Sequence, residues 1–161
     1  MTGRRLLAVV LVMVATVATG CGSDGSVGKE TFVADADKVC AEGNKALAVF
    51  DKRIREAQQG ADPAKVFADL ASVTRAAAEA SEPFLTRLDA LKPPNDDRDK
   101  LKAWLADQRR QQSLLDELAD AFEQQDDATI ATASQQIDTL NEKSNAFAKM
   151  YGMAQCAKGA G

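Results

Sequence analysis

Apolar residues recur at intervals of three and four through four stretches of this chain, and each stretch is bounded by residues that start or stop helices. The first stretch carries Phe32, Ala36, Val39, Gly43, Ala46, Phe50 and Ile54 and runs out at Gln59-Gly60. Asp62-Pro63 then reads as an N-cap followed by proline at the first helical position. Val66, Leu70, Val73, Ala77, Ala80, Phe84, Leu88 and Leu91 form the second seam. Pro83 inside it predicts a kink, or a restart after a Ser81 cap. Lys92-Pro93-Pro94 closes the stretch, because proline pushes the residue before it out of the helical region.

Asn95 is placed to cap the third helix, with Asp96, Asp97 and Asp99 complementing the macrodipole of its first turns. The third seam runs Leu101, Trp104, Gln108, Gln111, Leu115, Leu118 and Phe122. A fourth helix beginning near Asp126-Asp127 sets Ile130, Ala133, Ile137, Leu140, Ser144, Phe147 and Tyr151 on one stripe and stops at Gly152. No stretch alternates as a half-buried strand does. Segments of about 25 to 31 residues give helices near 40 to 45 Å long, and the links between them are too short for crossovers. The expected fold is therefore all-α, an up-down-up-down four-helix bundle.

The first twenty residues belong to a different kind of segment. Arg4 and Arg5 precede the apolar run from Leu6 to Ala18, and Ala18-Thr19-Gly20-Cys21 has the layout of a lipoprotein cleavage site. At 13 residues that run is short of the roughly 20 needed to span a bilayer. The expected organisation is a signal peptide over 1–20, a lipid-anchored spacer over 21–28 and a bundle domain over 29–161. Acyl chains on Cys21 would hold the protein on the extracytoplasmic face of the cell membrane, since each buried methylene contributes about 0.8 kcal/mol. Loss of Arg4 and Arg5 leaves 18 of the 20 basic residues against 24 acids, moving the net charge from −4 to −6. An acidic domain of this kind argues against nucleic acid as a partner and against electrostatic adhesion to anionic lipid.

Cys40 and Cys156 remain once Cys21 is assigned. Export to an oxidising compartment and an even count favour their pairing over two buried thiols. The topology agrees, because the start of the first helix and the end of the fourth lie at the same end of an up-down-up-down bundle. The stretch Phe32-Val33-Ala34-Asp35-Ala36-Asp37-Lys38-Val39-Cys40 with Asn44, the Pro93-Pro94 turn and the closing Tyr151-Gly152-Met153-Ala154-Gln155-Cys156 resemble a large group of uncharacterised exported and lipid-anchored helical proteins of actinobacteria. The resemblance implies an actinobacterial envelope and the same cysteine pair, and brings no activity with it.

The chain contains no histidine, so it lacks the commonest general base and the commonest metal ligand. With both domain cysteines committed to a disulfide, no thiol nucleophile is left. Asp96, Asp97 and Asp99 read as dipole complement, and Asp116, Glu117, Asp120 and Glu123 as a solvated face. Neither group has the spacing or the glycine of a calcium loop. The sequence thus points to a protein that is not an enzyme and carries no cofactor or metal.

The middle of the bundle is irregular. Aromatic residues gather towards the two ends, with Phe32, Phe84, Trp104, Phe147 and Tyr151 at one and Phe50, Phe67 and Phe122 at the other. Between them the seams offer Gly43, Ala46, Ala77, Ala80, Ser81, Gln108 and Gln111. One reading is a waist with a small cavity, in which Gln108, Gln111 and Trp104 meet a ligand. The other is close helix approach, with the glutamines turned to the surface; the 1–3 kcal/mol cost of burying an amide without a partner favours it. Two functions follow: an interaction module that presents a helix face to another envelope protein, which is the first expectation, or a carrier of a small apolar or amphipathic molecule. An exposed apolar patch would point to the first, and a pocket lined by Gln108, Gln111 and Trp104 to the second.

Overall fold

The computed structural model describes residues 27–158, so Cys21, the proposed signal peptide and most of the spacer lie outside the described residues. Four helices follow one another, α1 (Lys29–Gln58), α2 (Pro63–Asp89), α3 (Arg98–Gln124) and α4 (Asp127–Tyr151), with short 3-10 turns at Asn95–Asp97 and Cys156–Lys158. Among the described residues there is no strand. α1 packs on α2, α2 on α3 and α3 on α4. Pairs such as Trp104 with Phe147, Asp107 with Lys143 and Gln111 with Asn141 show α3 and α4 running antiparallel. No helix among the described residues is long and apolar enough to cross a membrane.

The helix ends follow local chemistry. Asp62 accepts from the Ala64 amide at 3.0 Å ahead of Pro63, and Asp126 accepts from the amides of Ala128 and Thr129, both at 3.1 Å. Gly152 closes α4 in the left-handed conformation, φ 100°, where a Cβ would be strained. Gln125 takes the same region at the end of α3, φ 53°, so that α4 can begin two residues later.

Three expectations need correction. Asn95 does not cap α3: it opens a 3-10 turn and accepts from the Arg98 guanidinium. Asp97 holds the N-cap position without a side-chain cap bond, because its carboxylate binds Lys100 at 2.9 Å and the Tyr151 hydroxyl at 3.0 Å. α2 does not restart after Ser81 but runs on through Pro83; the Ser81 hydroxyl donates back to the Ala78 carbonyl at 2.7 Å inside a continuous helix. Ala46 is exposed, since the buried face of α1 passes from Gly43 to Leu47.

The core is divided in two. At one end Phe32, Ala36, Val39, Leu88, Leu101, Trp104, Ala148, Tyr151 and Met153 pack together, with Phe32 edge-on to Tyr151 and Phe147 stacked between Trp104 and Tyr151. At the other, Leu114, Leu118 and Ala133 are buried beneath Phe122, Ile130, Ile137 and Leu140. Cys40 and Cys156 are joined by a disulfide that ties the first helix to the segment after α4. The Asp37 carboxylate supports this clasp by accepting from the Gln155 amide at 2.8 Å, and Asn44 donates to the Gln155 carbonyl at 2.9 Å.

Tyr151 illustrates how this end titrates. Burial, followed by its hydrogen bond to Asp97, pushes its hydroxyl up to about 12 from the ordinary 10.0. The fold therefore favours the neutral phenol, a contribution that is complete below pH 10 and is lost as pH rises through about 12. Tyr151 is the chain's single tyrosine, so phenolate absorbance follows it alone. The expected titration midpoint of the folded protein lies well above 10, and one near 10 would contradict the buried Tyr151–Asp97 contact.

Candidate functional site

Charged and amide cross-links tie three of the helix pairs side by side. Arg87 reaches Glu42 at 2.6 Å between α2 and α1. Arg109 grips both oxygens of Glu82 at 2.8 Å and also binds Asp89, which holds α3 on α2 and keeps the Glu82 carboxyl down at about 2. Lys143 meets Asp107 at 2.8 Å and Gln111 donates to Asn141 at 2.6 Å between α3 and α4. α1 and α4 share no comparable interface. They meet at one end, where Phe32 touches Tyr151, Lys29 lies 4.3 Å over the Tyr151 ring and the disulfide segment bridges them.

Below that bridge the unzipped seam is a cleft of about 290 Å³ reaching into the middle of the bundle. All four helices line it: α1 with Gly43, Asn44, Leu47, Phe50, Asp51 and Ile54, α2 with Ala77, Ser81, Phe84, Leu85 and Leu88. α3 contributes Trp104, Gln108, Gln111, Gln112 and Leu115, and α4 Ile137, Asn141 and Asn145. Cys40 and Cys156 close its upper end. Gly43 sits in this wall because a Cβ there would lie 3.3 Å from the Phe84 ring, so glycine lets α1 and α2 approach.

Gln108, Gln111 and Trp104 therefore share one cavity wall. The two glutamines are half-buried, not turned to the surface as the cost of a buried amide had favoured. Gln111 meets that cost by bonding Asn141, and Gln108 by facing the open cleft. Trp104 is 4% exposed, and among the described residues its buried indole N–H has no partner; the Ser144 hydroxyl on the facing helix is likewise buried and unpartnered among them. With Trp104 level with Phe147 and Asp107 with Lys143, the antiparallel register puts Gln108 within a turn of Asn145, and both line the cleft. Gln108 and Asn145 make no hydrogen bond among the described residues. The cleft thus combines apolar side chains with the uncommitted amides of Gln108 and Asn145, while the Trp104 N–H and the Ser144 hydroxyl are buried behind its wall.

Asn44, Asp51, Asn141 and Asn145 were not singled out by the apolar pattern. Their signal was present as the run Ile137, Asn141, Asn145, a four-residue spacing that puts polar groups on one line with a core residue. A second hollow of about 390 Å³ lies over Leu101 and Leu105; of its three cations, Arg98 and Arg109 are already bound to Asn95 and to Glu82 and Asp89, and Lys102 is exposed. Among the described residues no three acidic or cysteine side chains gather as a metal site. Compared with protein families, curated proteins and solved structures, the chain gives no match in any of the three.

Proposed function

We propose that this protein is a carrier that holds a small apolar or amphipathic molecule in the cleft between α1 and α4, tethered by lipid on Cys21 to the outer face of the cell membrane. The observation that supports the reading is the cleft itself, which takes apolar side chains from all four helices and is fitted with the Gln108 and Asn145 amides. Taking about 30 Å³ for each water-sized group, it accommodates about ten non-hydrogen atoms. The interaction-module reading has less behind it, since among the described residues the large apolar side chains most open to solvent are Val49 on α1, 54% exposed, and Met150 on α4, 79% exposed. Binding needs no catalytic group, in keeping with a chain without histidine.

Residues 22–161, the exported chain without its acylated cysteine, should bind 1-decanol and change the fluorescence of Trp104, the only tryptophan. An affinity in the micromolar range corresponds to about 0.8 kcal/mol per ligand atom, within the range that good small ligands reach. Ala77→Phe, which fills the cleft from its α2 wall, should weaken binding at least about tenfold. Equal binding by wild type and Ala77→Phe would remove the cleft from the account.

A further inference from the structure

Among the residues that line the cleft the only ionisable side chain is Asp51, on α1. No lysine or arginine lines it. Two arginines do lie against lining rings, but Arg87, 5.9 Å from the Phe84 ring, is paired with Glu42 at 2.6 Å, and Arg53, 5.6 Å from the Phe50 ring, is exposed. Asp51 is half-buried and has no ion-pair partner among the described residues. The chain as a whole is acidic as well, with a net charge of −4.

We infer, on the basis of the carrier reading, that the cleft selects uncharged or cationic amphiphiles and rejects anionic ones. A carboxylate or phosphate entering an apolar cleft loses its hydration and needs a cation or several charge-directed donors in return. Here it meets an acid. The amides of Gln108 and Asn145 supply neutral donors and acceptors, which match a hydroxyl, an amide or an ether without any change of charge.

Three probes with the same chain length separate the head-group rule from the binding reading beneath it. Decylamine, 1-decanol and decanoate are titrated at pH 8 into residues 22–161 and into the Asp51→Asn variant, with Trp104 fluorescence and calorimetry as readouts. Decanol and decylamine should bind at least about tenfold more tightly than decanoate, and Asp51→Asn should narrow the difference between decanol and decanoate several-fold by improving decanoate. Decanoate binding as well as decanol, or a difference indifferent to Asp51→Asn, would overturn the inference. Failure of all three probes to bind would instead overturn the carrier reading on which it rests.

Discussion

Replacing Cys40 and Cys156 together by serine should lower the stability of the domain by up to about 4–5 kcal/mol, a fall in Tm of roughly 10–20 °C. The disulfide closes a loop of 116 residues' separation, nearly the whole domain, so its absence returns a large conformational entropy to the unfolded chain. The effect should fall below the chain-entropy limit, because the Asp37 and Asn44 bonds to Gln155 persist without the sulfur link. Thermal unfolding of the double variant beside the oxidised wild type measures it. A Tm within a degree or two of wild type would mean that the packing of Phe32, Tyr151 and Met153 alone holds this end closed.

Leu114 and Leu115 are neighbours in sequence with different expected costs. Leu114 is 0% exposed in the distal core, and Leu114→Ala should cost about 2–5 kcal/mol through lost transfer energy and the cavity left behind. Leu115 faces the cleft and is only half-buried, so its side chain already borders empty space on one side. Leu115→Ala should therefore cost well under half as much. Denaturant unfolding of both variants gives the comparison, and equal losses would mean that the cleft is filled by the protein's own side chains in solution.

The helices were legible because their ends are written locally: Asp62-Pro63, Asp126 and Gly152 each satisfy or release backbone groups within four residues. Asn95 misled because it opens a 3-10 turn that moves the start of α3 to Asp97, whose carboxylate is held by Tyr151, 54 residues further on. Ala46 misled because a 3.6-residue period allows the seam to continue at either three or four residues, and only packing decides between Ala46 and Leu47. Gln108, Gln111 and Trp104 stood out because amides and a lone indole interrupt an apolar seam. The opening between α1 and α4 was not legible, since it depends on which helix pairs carry cross-links. Arg87, Arg109 and Lys143 reveal those links only once their partners are placed.

Signals from the Trp104 indole N–H and from the side-chain amides of Gln108 and Asn145 test the carrier reading most directly. In a nitrogen-edited NMR titration of residues 22–161 with 1-decanol, these three groups should shift together and saturate at one equivalent. The amides of Phe67 and Phe122, whose rings meet at 6.4 Å in the distal half, should stay in place. Shifts confined to the outer helix faces, or none at the Trp104 indole when the probe is bound, would contradict the proposal that the cleft between α1 and α4 is the binding site.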